Sequence, residues 1–259
     1  MHKGLLIDFT KCVGCGACAD ACREVNDLPQ PDPAGSPPQD LDGSNYTVVL
    51  THEAAGKEPL HYRKLCMHCE EPACVSACPV GALTKRPDGP VVYDSGLCFG
   101  CRYCMTACPF QVPRYTWERL APVVSKCILC YHRLDKGQEP ACAAVCPTGA
   151  TRFGPRDVLL RIARERIKAH PELYVNHIYG EREGGGTDVL MLSPVPFEQL
   201  GFRTDVPHKA LPDLTWVVQE KIPNIVLTGG VFLGGLYWLV NRRMRLAKDS
   251  ERPCEEQDQ

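Results

Sequence analysis

The residues able to do chemistry in this chain are its cysteines, 17 in 259 residues. Cys98, Cys101, Cys104 and Cys108 read C-x2-C-x2-C-x3-C and are followed by Pro109. Cys12, Cys15, Cys18 and Cys22 repeat that spacing, with Arg23 where the proline would stand. Cys66, Cys69, Cys74 and Cys78 precede Pro79, and Cys127, Cys130, Cys142 and Cys146 precede Pro147. Four irons of a 4Fe–4S cubane need one thiolate each, so four quartets suffice for four such clusters. A tight loop wraps three corners but cannot turn back for the fourth. The last cysteine of a run therefore serves a neighbouring cluster, and the proline bends the chain away. Only Cys254 is left over, read as a free thiol in a polar tail.

Zinc sites show separated C-x2-C pairs without a third cysteine so close behind, and disulfide frameworks lack four regular quartets ending in C-x3-C. The segments Cys78–Ala82 and Cys146–Ala150, both C-P-x-G-A, are an internal echo that points to a duplicated unit. Extending the shared-ligand rule gives an inner pair of clusters, one on Cys66, Cys69, Cys74 and Cys108, the other on Cys98, Cys101, Cys104 and Cys78. The outer pair is expected on Cys12, Cys15, Cys18 and Cys146, and on Cys127, Cys130, Cys142 and Cys22. His68 stands between two ligands, but that quartet is complete without it. With Lys126 and Arg102 it is a candidate for tuning a cluster from beside the ligands, against a purely structural alternative for each.

The elements that must hold these loops are short. Of the chain, 44% is hydrophobic, with 23 prolines and 22 glycines, which suits a loop-rich fold in which metal binding supplies part of the stability. The net charge of −2 gives no reason to expect a nucleic-acid partner. Gly4–Phe9 and Tyr46–Thr51 read as strands, Leu28–Asn45 as an exposed loop, and Asp88-Gly89 as the turn of a hairpin. Pro155 opens a helix to about His170, with Val158, Leu159, Ile162, Ala163 and Ile167 facing inward and Arg161, Arg164 and Arg166 on a solvated face. Gly184–Gly186 reads as a turn before a strand at Val189–Leu192, since neither glycine spacing nor a following helix fits a phosphate loop.

Ile222–Asn241 carries no charge, matching one bilayer crossing of about twenty residues. Trp216, Tyr237 and Trp238 stand where interfacial anchors belong, and Gly230 and Gly234 permit close approach of another helix. Arg203, Lys209 and Lys221 precede the span, whereas Arg242, Arg243, Arg245, Lys248 and Arg252 follow it. The positive-inside rule then puts the cysteine-rich part outside the cytoplasmic membrane and the tail inside. No secretory or twin-arginine signal is read at the N-terminus, so export in company with a signal-bearing partner is expected. None of the 8 histidines lies in the span, so a haem or quinone in the bilayer must belong to another subunit.

Cys66-Met-His-Cys-Glu-Glu-Pro, Gly100-Cys-Arg-Tyr-Cys-Met-Thr-Ala-Cys-Pro-Phe, Gly137-Gln-Glu-Pro-Ala-Cys and Tyr179-Gly-Glu-Arg-Glu-Gly-Gly-Gly-Thr resemble the four-cluster iron–sulfur subunits of membrane-bound respiratory oxidoreductases. The resemblance runs from about Lys3 to the apolar span. It implies an α+β, loop-rich fold of two interleaved bacterial-ferredoxin-like modules with one C-terminal transmembrane helix. It also implies a non-catalytic electron-transfer role between a catalytic subunit and a quinone- or haem-bearing membrane subunit. Two branches look similar. The fourth-quartet spacing and the absence of a signal lean toward the beta subunit of a molybdenum or tungsten formate dehydrogenase. The Gly-Cys-Arg-Tyr-Cys-Met stretch and Pro196-Phe-Glu-Gln-Leu lean toward the ferredoxin-like subunit of a periplasmic NiFe-hydrogenase. Some related nitrate reductase subunits carry tryptophan at one ligand position; every such position here is cysteine. The expected division is 1–65 with the first quartet, 66–110 as the inner module, 111–154 completing the outer module, 155–215 as an extension, 216–245 as the anchor and 246–259 as the tail.

Overall fold

The computed structural model describes residues 2–30, 38–53, 56, 58–117 and 123–250. Cys254 and part of the expected 28–45 loop lie outside them. The chain divides into two units, Met1–Pro212 and Asp213–Gln259. The first contains β1 (Lys3–Asp8), α1 (Ala17–Val25), β2 (Thr47–His52), β3 (Leu60–Leu65), α2 (Ala73–Ser76), β4 (Leu83–Lys85) and β5 (Val91–Tyr93). It continues through α3 (Tyr103–Ala107), β6 (Arg114–Tyr115), β7 (Val124–Ser125), α4 (Tyr131–Leu134), α5 (Ala141–Ala144), β8 (Thr151–Pro155), α6 (Arg156–Ala169) and β9 (Val189–Leu192). Then α7 (Leu211–Gln219) crosses the boundary, and the second unit carries α8 (Ile222–Ser250).

The first strand is central. β1 pairs antiparallel with β8, Ile7 opposite Thr151, and parallel with β9, Leu5 opposite Val189. Both faces of the sheet are covered at β1 and β9, so Leu5–Ile7 and Val189–Leu192 are continuously apolar instead of alternating. Leu5, Ile7, Val189 and Met191 face a core shared with Phe9, Met67, Tyr179 and Phe197. Leu6, Leu190 and Leu192 pack on Leu159, Leu160 and Ala163 of α6. A third core, around Leu83, Val91, Tyr115 and Val124, joins the hairpins β4–β5 and β6–β7. The β4–β5 turn holds Asp88-Gly89, as its sequence suggested, and Gly89 adopts φ +125°.

Two expectations for α6 need correction. Leu160 is buried in the sheet-facing core and Val158 only half-buried, because the helix rolls toward Leu6. Arg166 is not on a solvated face: it donates to the fully buried Asp8 carboxylate at 2.6 Å. Asp8 also accepts from Tyr174 at 3.0 Å and from the Thr10 amide at 3.1 Å, so the charge is satisfied on several sides. Arg164 reaches the Glu181 carboxylate instead.

Among the described residues, one helical stretch, 211–247, is long and apolar enough to cross a membrane. α8 runs unbroken through the expected span into the first residues of the expected tail, and Pro223 is tolerated because it stands in the first turn. Val231, Phe232 and Leu233 are all well exposed.

Replacing Arg166 with Met leaves the Asp8 carboxylate buried with only neutral donors. Stability is expected to fall by roughly 3 kcal/mol, read as the urea midpoint of the circular dichroism signal, while Arg161→Met on the exposed face changes it by less than about 0.5 kcal/mol.

Candidate iron–sulfur sites

Each cysteine run wraps its loop around left-handed backbone. Gly14 and Gly16 in the first run, His68 in the second, Gly100 and Arg102 in the third, and Leu129 and Cys130 in the fourth all have positive φ. Such turns let successive thiols point to one side of a tight loop. In the two C-P-x-G-A segments, Gly81 and Gly149 take nearly the same φ, 64° and 63°. The turn aims amides back at the sulfur: Ala82 donates to Cys78 Sγ at 3.2 Å and Thr151 to Cys146 Sγ at 3.5 Å. Burial pulls both thiols up, but the surrounding amides outweigh it, so Cys78 and Cys146 sit below the ordinary thiol range. The internal echo is thus a repeated amide cradle that favours thiolate.

Three cavities are lined by four cysteines each. One is bounded by Cys12, Cys15, Cys18 and Cys146. A second is bounded by Cys22, Cys127, Cys130 and Cys142, and a third by Cys78, Cys98, Cys101 and Cys104. In each, three thiols come from one stretch and the fourth from another at least twenty positions away. The remaining four lie close enough to act on one another. Burial pushes the Cys69 thiol well above its ordinary value, and the charges of Cys66, Cys108 and Cys74 push it further. Among the described residues, no three His, Cys, Asp or Glu side chains close on a point as a single metal ion requires. All sixteen described cysteines are free of disulfides.

Burial is uneven. Cys15 and Cys101 are exposed, whereas Cys22, Cys66, Cys74, Cys104, Cys127, Cys130 and Cys142 are buried. Desolvation lifts Cys22 and Cys74 to about 12. Such thiols reach the thiolate state only with strong positive charge, such as iron, beside them. Among the described residues, three of the four buried polar atoms left without a partner belong to residues within two positions of a cysteine: His68 Nε2, Ser125 Oγ and His132 Nε2. Three quartets of sulfur around enclosed spaces, and a fourth whose thiols act on one another, fit 4Fe–4S clusters.

The side chains singled out beside ligands part company. His68 is fully buried; its Nδ1 accepts from the Val91 amide at 2.9 Å, which puts the ring proton on Nε2. Lys126 is buried too and donates to the Val91 and Cys127 carbonyls at 2.6 and 3.0 Å. Arg102 instead lies over the Trp117 ring, 4.4 Å from its centroid. Sequence reading missed Arg63. It sits on β3, 2% exposed, and lines both the Cys12 and the Cys22 cavities. Burial works against its charge, but the thiolates of Cys142, Cys18 and Cys127 outweigh that and hold the guanidinium above its ordinary range. No motif marks it, since β3 brings it there only through the fold.

These cavities define a protein of the 4Fe–4S ferredoxin class. Residues 59–156 match the 4Fe-4S dicluster domain and residues 5–24 a 4Fe-4S binding domain. A protein of Nitratidesulfovibrio vulgaris is 42% identical over 256 residues, covering 96% of this chain and 69% of its own. The hydrogenase-2 operon protein HybA of Escherichia coli O157:H7 is 38% identical over 285 residues, covering 93% of this chain and 85% of its own. The iron-sulfur subunit of the nitrate-inducible formate dehydrogenase of Escherichia coli K12 is 39% identical over 197 residues, 71% of this chain and 66% of its own. The chain belongs to the family of ferredoxin-like iron–sulfur electron-transfer subunits of oxidoreductase complexes, and its cofactors are four 4Fe–4S clusters.

Proposed function

We propose that the chain passes single electrons along a row of four clusters, each held crosswise, between a catalytic subunit and a quinone- or haem-bearing membrane subunit. The observation that carries this reading is the lining of the cavities, in which each fourth thiol comes from a different run. The ligand sets are Cys12, Cys15, Cys18 and Cys146; Cys22, Cys127, Cys130 and Cys142; Cys66, Cys69, Cys74 and Cys108; and Cys78, Cys98, Cys101 and Cys104. Bound there, a 4Fe–4S cluster accepts and releases one electron at a time.

The succession follows from which sets act on each other. Cys18 feels Cys142, Cys127 feels Cys66, and Cys74 feels Cys104, which orders the sets as just given. The exposed Cys15 and Cys101 fall in the two end sets, where electrons enter and leave; the middle sets are enclosed. Enclosure excludes water and fixes the surroundings of each cluster, which the chain sets through amides, charges and burial.

The unpartnered apolar surface of α8 supports a single membrane crossing, with Gly230 and Gly234 on offer to a helix of the membrane subunit. Arg242, Arg243 and Arg245 at its far end support an inward tail and a cluster domain on the periplasmic side of the cytoplasmic membrane. The catalytic subunit on this reading is of the molybdenum or tungsten formate dehydrogenase type. A NiFe-hydrogenase partner is the second reading, favoured by the similarity to HybA over 93% of the chain.

Purified anaerobically, this polypeptide is expected to hold about sixteen irons and sixteen labile sulfides, and Cys22→Ser should alter the spectrum of the cluster on Cys127, Cys130 and Cys142. A change in the first-run cluster instead would refute the crosswise sets. Metal analysis of the co-purified complex separates the partners: molybdenum or tungsten for one, nickel for the other. Protease added to intact spheroplasts is expected to cut the cluster domain; protection would place it in the cytoplasm.

A further inference from the structure

Arg63 and Lys126 are each 2% exposed, and among the described residues neither meets a carboxylate. The Arg63 Nε–H donates to Thr47 Oγ1 at 2.7 Å and an Nη1–H to Thr151 Oγ1 at 3.3 Å, both neutral hydroxyls. Lys126 donates to two backbone carbonyls. Taking an unpaired cation out of water costs several kcal/mol even after relaxation. Several other buried or half-buried cations of the first unit are treated differently: Lys85 has Asp188, Arg166 has Asp8 and Arg23 has Asp20. In place of a carboxylate Arg63 has sulfur around it, and Lys126 has the carbonyl of a ligand cysteine. Arg63 lines the first and second cysteine cavities at once. Lys126 precedes Cys127 of the second set, and its field counteracts the rise that burial imposes on Cys74 of the third.

We propose that Arg63 and Lys126 are the fixed counter-charges of the relay, each seated at a junction between successive clusters and raising the reduction potentials of both. The inference rests on the crosswise ligand sets. A cluster bound by four thiolates carries net negative charge, and each added electron makes it more negative. A cation held nearby in a low-dielectric interior therefore favours the reduced form over the oxidised one. Because each cation acts on two sets, it keeps neighbours close in potential, so an electron crossing the junction meets no steep step. The fourth set, Cys78, Cys98, Cys101 and Cys104, has no such cation among the residues lining its cavity and serves as an internal reference.

The test is a redox titration of the intact complex followed by electron paramagnetic resonance, with Cys15→Ser, Cys22→Ser, Cys108→Ser and Cys101→Ser marking the four signals. Arg63→Met is expected to lower the first and second potentials, changing the reduced-to-oxidised ratio at a fixed potential tenfold or more, about 59 mV for a one-electron couple. Lys126→Met should do the same to the second and third. The fourth stays in place, and Arg63→Lys stays near the parent. Unmoved potentials, an equal shift of all four, or an equal shift in Arg63→Lys and Arg63→Met would overturn the inference. If Arg63→Met loses iron, Thr47→Asp decides, because it keeps the guanidinium and cancels its charge. Lowered first and second potentials there support the inference; parent values reject it. Shifts confined to two signals that the serine variants assign to other sets would reject the ligand sets instead.

Discussion

Three thiols from one tight loop can surround part of a space, and no further residue of that loop can close it. Everything else in the first unit follows from supplying the missing sulfur. Cys146 closes the cavity of the Cys12 loop, which requires the start of β8 to lie beside the end of β1, and the pairing of Ile7 with Thr151 does this. Cys22 reaches the Cys127 loop from α1, and α1 packs against α5, which carries Cys142. The small hairpins play the same part for the inner cysteines: β4 follows directly on the Cys78 cradle, and Tyr115 of β6 lies 3.1 Å from Cys104 Sγ. Secondary structure here is brief because its task is to bring loop ends together.

Charge is arranged to the same end. The acidic side chains inside the first unit are occupied by structural duties. Asp8 ties α6 to β1, Asp188 ties β9 to Lys85, and Glu183 accepts from His177 at 2.6 Å and from the Gly180 amide at 2.8 Å. None of these carboxylates lines a cysteine cavity. The cavity walls instead present amides, hydroxyls, a guanidinium and apolar side chains, which is the environment an anionic cofactor needs.

The cysteines were legible because a cluster's ligand count and loop geometry leave so little freedom in spacing. The hairpin at Asp88-Gly89 and the helix after Pro155 were legible because turn chemistry and helical periodicity act locally. Arg63 was not, since on β3 it looks like any strand arginine until β2, β8 and two loops converge on it. Nor was the role of Arg166: one turn of helix in sequence does not tell that a buried aspartate, 158 positions earlier, lies under it. For Arg102, a place beside Cys101 left a tuning and a structural role equally open, and what the fold adds is that its guanidinium lies over the Trp117 ring.

The central strand of the sheet leaves the ribosome well before its neighbours, β8 and β9, which are among the last parts of the first unit to be made. The Cys12 loop emerges early but waits for Cys146, and β1 waits longer still for Val189. Order cannot spread from the front of the chain backward as it is synthesised; it must arrive late and nearly all at once. Until then the Cys12 loop carries thiols with nothing to close over them, so the outer cysteine cavities are completed later than the inner ones, whose thiols all lie between Cys66 and Cys108.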